Sequence, residues 1–187
     1  MKRLHKRIMT ACLALSMALA LAAPAMAAET RAIESPVGKH IRLYACGSAS
    51  GPALHANGNY NQARIDSQRY HNSTPWQWRV TGNGNYAQIF TMQDGWGITL
   101  AVNLNRTAVS PGVYPVTLAA TAGNTDDTMF YFSNYDYRQC RMWLSQGDYA
   151  GYRLYNDNSN PLVDQSDVFF YQSDNAPNSV WYWNTTF

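Results

Sequence analysis

The chain repeats one short aromatic phrase three times, as Trp76-Gln77-Trp78, Phe130-Tyr131-Phe132 and Trp181-Tyr182-Trp183, at intervals of 54 and 51 residues. A second shared phrase stands upstream of each. It has a Gly, a Leu three residues later and an amide or acid three residues after that, at 51–57, 97–103 and 151–157. Self-similarity at a period of about 50 residues indicates a supersecondary unit that was copied and packs against its copies to close a core.

The rest of the chain favours strands, because short alternating or aromatic runs are divided by turn signals such as Asn57-Gly58, Asp94-Gly95 and Pro111-Gly112. Such a pattern is typical of an all-β domain. Each copy divides into four predicted strands, at 41–46, 52–56, 63–68 and 76–81, then 87–92, 98–102, 116–120 and 129–133, then 140–145, 152–156, 168–172 and 180–184. The copies span about 38–84, 85–137 and 138–187, so we predict twelve strands with pseudo-threefold symmetry.

The repeated rings are predicted to form the core. Residues two apart in a strand project to one face, so the two rings of each phrase lie together. We expect the pairs Trp76/Trp78, Phe130/Phe132 and Trp181/Trp183 to fill the axis, with Leu54, Leu100 and Leu154 below them. A buried ring removes roughly 150–250 Å² from water, which makes these rings the main predicted source of stability.

The N-terminus has the form of a bacterial secretory signal peptide over residues 1–27. Lys2, Arg3, Lys6 and Arg7 precede an apolar run, and Ala25-Met26-Ala27 forms a small-residue cleavage site. We expect a flexible lead at 28–37, a single domain at 38–187, and a secreted or periplasmic location without a membrane span. Removing four of the 14 basic residues leaves 10 against 12 acidic ones, a net charge of −2. A chain with no basic block lacks the electrostatic footprint of a nucleic-acid-binding protein.

Cysteine and histidine usage bears on cross-links and metals. Cys46 and Cys140 remain after signal removal, and an exported chain with two cysteines predicts one disulfide. The alternative is two buried thiols. His40, His55 and His71 have no metal-ligand spacing, and no Cys-x-x-Cys occurs. No phosphate loop or dinucleotide fingerprint appears either, so we expect neither a metal nor a cofactor.

The three four-stranded copies resemble a β-trefoil, and the layout is similar to the ricin-type lectin repeats, over about 150 residues. In those repeats each copy ends with Gln-x-Trp on its fourth strand. The spacing from the third strand to that Trp is 16 residues for Ala63 to Trp78 and for Val168 to Trp183. The Gln position is occupied by Trp76, Phe130 or Trp181, which departs from the ricin-type phrase.

The resemblance implies a sugar site built from an Asp on the second strand and an aromatic on the third. The Asp position falls on His55, Ala101 and Tyr155, and the aromatic position on Asp66, on Ala119 or its neighbour, and on Tyr171. Only the third copy keeps a ring there. The predicted ligand-binding set is therefore Tyr155, Asn156, Asp157, Asn158, Tyr171, Gln172 and Asp174. The alternative is that these are ordinary turn residues, since Asn and Asp cap their own backbone.

The expected function is binding of carbohydrate or a glycosylated surface by an exported, non-catalytic domain. No Gly-x-Ser-x-Gly elbow is present, and Glu29 and Glu34 are the only glutamates after the signal, which argues against hydrolase chemistry. The layout also resembles the A and C subunits of cytolethal distending toxins, which implies toxin subunits as partners and a receptor-binding role. The alternative is a secreted protease inhibitor or other interaction trefoil, acting through the loop 104–114 with Arg106.

Overall fold

A computed structural model describes residues 32–49, 52–57, 64–68, 76–92, 100–120, 126–158, 166–172 and 177–185; for 57, 64–68 and 135 we describe the backbone alone. The predicted signal peptide lies outside these residues. Those from residue 33 onward belong to one compact unit, Ile33–Phe187. No helix within the described part of the chain has the length and apolar character needed to cross a bilayer.

The described residues form twelve strands, each within a few residues of its predicted position. They are β1 (His40–Ala45), β2 (Ala53–Asn57), β3 (Arg64–Gln68), β4 (Trp78–Asn83), β5 (Tyr86–Thr91), β6 (Leu100–Leu104), β7 (Val113–Ala120), β8 (Phe130–Asp136), β9 (Gln139–Leu144), β10 (Arg153–Asn156), β11 (Ser166–Tyr171) and β12 (Trp181–Asn184). The prediction of an all-β chain in three four-stranded copies is confirmed.

Six strands close a barrel. Antiparallel pairing runs from β1 to β4, β5, β8, β9 and β12 and returns from β12 to β1. Each copy contributes its first and fourth strands to this ring. Because the ring is closed, each of these six strands has a hydrogen-bonded neighbour on both of its sides.

The other six strands form three hairpins, β2–β3, β6–β7 and β10–β11. The third strands of the copies pair with one another, as β3 with β7, β7 with β11, and β11 with β3. This triangle of pairings ties the hairpins into a cap. A six-stranded barrel with a triangular cap of three hairpins is the β-trefoil architecture.

Alternation along the strands directs one set of side chains to the axis. Buried and half-buried residues alternate strictly in β9, β10 and β12. The fully buried large side chains include rings and aliphatic residues from all three copies, among them Trp78, Phe130, Phe132, Phe170, Trp181, Trp183, Leu54, Leu100 and Leu154. The predicted core is therefore correct for five of the six repeated rings.

Trp76 is the exception, because the first copy is displaced by two residues relative to the predicted alignment. Equivalent positions across the barrel are Trp78 opposite Thr91, Phe130 opposite Leu144, and Trp181 opposite Ala45. The repeat interval is then 52 and 51 residues. The indole Nε1–H of Trp78 donates to the Leu54 carbonyl, and that of Trp181 to the Leu154 carbonyl, both at 3.0 Å.

Trp76 itself is half-buried and precedes β4. Its ring lies against His55, with 4.0 Å between centroids and 31° between planes. On the corrected alignment the Gln position of the ricin-type phrase falls on Trp76, Thr128 and Ser179, and the rings at Phe130 and Trp181 take the place of its Trp.

The predicted disulfide is absent, since Cys46 and Cys140 are both free thiols. The reason is the strand order. Trp181 of β12 pairs with Ala45 on one side and with Cys140 on the other, so a whole strand separates the two cysteines. Two strand spacings place their backbones about 10 Å apart, whereas a disulfide needs Cα atoms within about 7 Å.

Part of the lead predicted to be flexible contacts the barrel. Glu34 accepts a hydrogen bond from Lys39 Nζ at 2.9 Å and lies 3.8 Å from Arg138 Nε. Its pKa is lowered, chiefly by the hydrogen bond from Lys39. Pro36 is buried, and Val37 packs against the core cluster.

Candidate functional site

The site forms on the outward face of the third copy, where the β10–β11 hairpin presents rings. Tyr155 of β10 stands opposite Phe169 of β11, and Arg153 stands opposite Tyr171. Their chain neighbours Leu154 and Phe170 point into the core and are fully buried. The hairpin therefore uses one face for stability and the other for a surface that is rich in aromatic side chains.

These rings border a cleft of about 360 Å³, which we call the third-copy cleft. Its lining consists of Pro111, Val113, Tyr155, Asp157, Phe169 and Tyr171. The rings of Tyr155 and Tyr171 meet edge to face, with 5.8 Å between centroids and 63° between planes. Tyr171 is 39% exposed. The volume is near the lower end of the range for small-ligand pockets, roughly 300–1,000 Å³.

The second copy supplies one wall of this cleft. Val113 at the start of β7 stands opposite Tyr171, and Tyr114 stands opposite Phe170. Pro111 belongs to the turn before β7, whose geometry includes a left-handed Gly112 at φ 75°. A residue with a Cβ rarely adopts that conformation, which explains a glycine beside the proline.

Asp157 brings the negative charge of the cleft. It follows β10, is exposed, and its backbone N–H donates to the Asp167 carbonyl at 2.8 Å. Burial raises the pKa of Tyr155, and the nearby Asp157 carboxylate raises it further. The phenol therefore keeps its proton at neutral pH and can donate a hydrogen bond beside an acceptor carboxylate.

Asn156, one of the predicted ligand residues, lies inside the protein and is fully buried. Its Nδ2 donates to the Asn158 carbonyl at 2.7 Å, and its Oδ1 accepts from Ser166 Oγ at 2.6 Å. The side chain of Asn178 donates to its backbone carbonyl at 3.0 Å. Alternation on β10 forces this inward position, so Asn156 supports the cleft from beneath and does not face a ligand.

The remaining predicted residues divide as follows. Asn158 is half-buried, and its carbonyl accepts hydrogen bonds from Asn156 and from the Cys46 thiol, the latter at 3.3 Å. Gln172 is exposed directly after β11. Asp174 lies outside the described residues. The structure thus brings together Tyr155, Asp157 and Tyr171 from the predicted set.

Sequence reasoning missed Phe169, Pro111 and Val113. Phe169 could have been found, because it lies two residues from Tyr171 in a strand and must share its face. Pro111 and Val113 could not, because their place depends on the pairing of β7 with β11 across two copies. No local pattern specifies a pairing between segments about 55 residues apart.

The equivalent positions of the other copies carry no such ring pair among the described side chains. In the second copy Ala101 stands opposite Ala119, and Ala101 is fully buried. In the first copy His55 occupies the position of Tyr155, and its ring lies against Trp76.

The loop predicted for a protease inhibitor has its basic residue tied down. The guanidinium of Arg106 donates to both carboxylate oxygens of Asp127, at 2.8 and 3.3 Å, and Asp127 is 5% exposed. The same guanidinium lies 5.6 Å from the centroid of the Tyr149 ring. Asp127 raises the pKa of Arg106, chiefly through the hydrogen bond between them, so the guanidinium keeps its charge at neutral pH. This geometry disfavours Arg106 as a side chain offered to a protease.

No protein-family model matches this chain, and no curated protein matches it. Solved structures do match. The chain is similar to a designed threefold-symmetric protein, ThreeFoil, with a TM-score of 0.63 and 18% identity over 77% of this chain and 96% of that one. It is also similar to the ricin B-like lectin of Macrolepiota procera in complex with lactose, with a TM-score of 0.61 and 12% identity over 81% and 98%.

A third match is a mosquitocidal holotoxin, with a TM-score of 0.65 and 11% identity over 80% of this chain. This chain covers 17% of that protein, so the match concerns one part of the toxin. At such identities the comparisons establish the fold, which is a β-trefoil similar to those of ricin B-like lectins.

Proposed function

We propose that the protein is an exported, non-catalytic domain that binds carbohydrate, or a glycosylated surface, at the third-copy cleft. The observation that carries the proposal is the meeting of Tyr155, Phe169 and Tyr171 beside the Asp157 carboxylate. Small-ligand sites combine apolar and aromatic walls with a few placed polar groups, and this cleft has that composition. The match to a lectin solved with lactose supports the same ligand class.

The chemistry expected of the cleft is stacking with directed hydrogen bonds. An exposed ring such as Tyr171 offers a flat apolar surface to the C–H face of a pyranose. The Asp157 carboxylate accepts hydrogen bonds from sugar hydroxyls, and such charge-assisted bonds are short and strong. The protonated Tyr155 hydroxyl supplies a donor beside it.

The absence of catalysis is part of the proposal and rests on the carboxylates. Most glycoside hydrolases use a pair of carboxyl groups, about 5–9 Å apart, on the two sides of the scissile bond. Asp157 is the one carboxylate among the residues that line the cleft in the described structure. On this proposal the cleft binds sugar and does not supply the pair of carboxyl groups that cleavage requires.

A receptor-binding role within a toxin is the finer form of the proposal. The part of a mosquitocidal holotoxin that matches this chain shows that such a domain occurs within a toxin. In this form the third-copy cleft binds a host glycan and a separate subunit supplies the toxic activity. Co-purification of the secreted chain with a toxic subunit from its native source tests this part; secretion as a lone chain contradicts it.

The test of the main proposal uses the mature chain on a glycan array, followed by calorimetric titration with lactose and with each glycan that binds. We expect Tyr171→Ala to weaken binding at least tenfold, or about 1.4 kcal/mol, and Asp157→Asn to weaken it by a similar factor. The matched control is Tyr137→Ala, which removes a tyrosine covered by the Arg138 guanidinium at 5.1 Å, outside the cleft. An array without signal, or equal losses in Tyr171→Ala and the control, would overturn the proposal.

A further inference from the structure

A single row of paired residues crosses six strands on the outside of the molecule. Each member stands directly opposite the next in the antiparallel register. The row, which we call the aromatic row, is Tyr86 of β5, Tyr131 of β8, Trp143 of β9, Arg153 of β10, Tyr171 of β11 and Val113 of β7. Residues directly opposite in antiparallel strands share one face of the sheet, so all six side chains belong to one surface.

The outward direction of the row is clear from burial. Tyr86 is 53% exposed and Tyr171 is 39% exposed, while the other four members are half-buried. Every member except Val113 has at least one chain neighbour that points to the core and is fully buried; these neighbours are Ala87, Phe130, Phe132, Met142, Leu144, Leu154 and Phe170.

The barrel end of the row forms a second open groove, of about 460 Å³, lined by Tyr86, Tyr131, Ser133, Trp143 and Ser145. The Tyr86 and Tyr131 rings lie 5.2 Å apart at 67°, and the Tyr131 and Trp143 rings 4.9 Å apart at 35°. This groove is formed by barrel strands and is separate from the hairpin that carries the third-copy cleft.

Arg153 connects the two grooves. It stands opposite Trp143 on one side and Tyr171 on the other. Its guanidinium carbon lies 5.6 Å from the centroid of the Trp143 ring. A guanidinium is planar and packs against aromatic faces, so Arg153 extends the surface of the barrel rings from Trp143 onto the strand that lies beside Tyr171.

The dimensions fit an extended ligand. Five strand spacings of about 4.8 Å give the row a length of about 24 Å, measured between backbones and neglecting sheet curvature. That length spans several sugar units of a linear chain. The surface offers rings for stacking and the Ser133 and Ser145 hydroxyls at its border, which suits a chain of hydroxyl-rich, flat-faced units.

A peptide strand fits this surface less well. Strand addition requires an open sheet edge with unpaired backbone groups. The row instead crosses the faces of strands that already have partners on both sides, β5, β8, β9 and β11 among them. Recognition here must come from side chains alone, which favours a glycan over an extended peptide.

We propose that the aromatic row is a binding strip for a linear oligosaccharide chain, with one end in the third-copy cleft and the other over Tyr86. This inference rests on the proposed function and adds a substrate class to it: an extended glycan in place of a single terminal sugar. The barrel-wall groove then provides the affinity that depends on chain length.

The experiment titrates the mature chain with galacto-, gluco- and chito-oligosaccharides of one to six units. We expect affinity to rise at least tenfold between two and six units in one series. Tyr86→Ala and Trp143→Ala should remove that rise and keep the affinity for the one- and two-unit sugars. Tyr171→Ala should weaken every length, and Tyr137→Ala should change none. Tyr86 is the safer variant for folding because more than half of it is exposed.

The outcomes separate this inference from the proposed function. The strip is wrong if affinity does not rise with chains longer than two units. It is also wrong if a folded Tyr86→Ala variant keeps that rise. Either result leaves the proposal for the third-copy cleft intact. Failure of all three series and of the glycan array overturns both. A third outcome also overturns the strip: the chain binds a pool of disordered peptides and no sugar, and Tyr86→Ala abolishes that peptide binding. The barrel-wall groove would then be a contact for protein.

Discussion

The β6–β7 hairpin of the second copy and the β10–β11 hairpin of the third share one backbone pairing and present different surfaces. Where the second copy places Ala101 opposite Ala119, the third places Tyr155 opposite Phe169. The barrel strands before the two hairpins, β5 and β9, also differ in the exposure of an outward ring. Phe90 is 8% exposed, and its equivalent Trp143 borders an open groove.

The inward positions of the two copies are far more alike. Leu100 and Leu154 are both fully buried, and so are Phe130 and Trp181 at the start of the fourth strands. The barrel and cap constrain whatever points to the axis, because an interior packs at the density of an organic crystal. Outward positions have no such constraint, and the copies differ most at the surface where we propose that a ligand binds.

The largest expected effect on stability comes from truncating an inward tryptophan, and truncating an outward tryptophan is its comparison. Trp78→Ala should lower the free energy of unfolding by about 3–5 kcal/mol, because it removes a fully buried indole and leaves the Leu54 carbonyl without its donor. Trp143→Ala, the matched outward change, should cost clearly less. Urea denaturation followed by circular dichroism measures both.

Trp76→Ala extends the same series. Because Trp76 is half-buried and packs on His55, Trp76→Ala should lower the free energy of unfolding clearly less than Trp78→Ala does. A Trp76 variant as unstable as the Trp78 variant would contradict the two-residue shift of the first copy and restore the repeat interval of 54.

The sequence predicted the parts of the fold that depend on local period. Alternation and turn residues located all twelve strands, and the repeat predicted the trefoil. The shift at Trp76 escaped detection, because Trp76 and Trp78 are the same residue type and only cross-barrel register separates them. The disulfide prediction was wrong for a related reason: counting cysteines says nothing about β12 lying between them.

The candidate site was predictable to a similar degree. Tyr155 and Tyr171 were found from one strand each, whereas the orientation of Asn156 needed the strand phase and the wall at Pro111 needed pairing between copies. The aromatic row depends on five register relations in succession, which no single segment encodes.

A second prediction places a large ring in the closed hairpin. Ala101→Tyr copies the third-copy residue into the second copy, where the site is fully buried. Overpacking of this kind costs about 1–3 kcal/mol, so the melting temperature should fall and no second sugar-binding site should appear beside the third-copy cleft. Tyr155→Ala is the reverse change and should weaken glycan binding with a smaller loss of stability. A stable Ala101→Tyr variant would show that the second hairpin can open.

A third prediction concerns the floor of the third-copy cleft. Asn156→Ala leaves the Ser166 hydroxyl without its acceptor and removes the Nδ2–H hydrogen bond to the Asn158 carbonyl, and should cost about 1–3 kcal/mol. Asp157→Ala, the exposed neighbour, should change stability by less than about 0.5 kcal/mol and affect binding alone. Equal destabilisation by the two variants would contradict the division between a buried support and an exposed ligand contact.

The smallest expected effect is a difference in chemical reactivity, measured by labelling the cysteine thiols. A chain of residues 28–187 contains Cys46 and Cys140 as its only cysteines and should give two reactive thiols in denaturant, because the two are not bonded to each other. A count of zero would show that the disulfide forms. In the folded chain Cys140 should react only on unfolding, since it is fully buried and burial raises its pKa far above the ordinary value.

Cys46 should react slowly without unfolding, because it is half-buried and burial raises its pKa as well. A raised pKa lowers the thiolate fraction at a given pH, and the thiolate is the reactive form. The labelling rate should therefore climb with pH through and beyond the range where free cysteine levels off. Cys46 contacts Asn156 and Asn158 beneath the third-copy cleft. Its labelling rate consequently reports whether the floor of the third-copy cleft is intact. A rate equal to that of free cysteine would mean that this floor does not form.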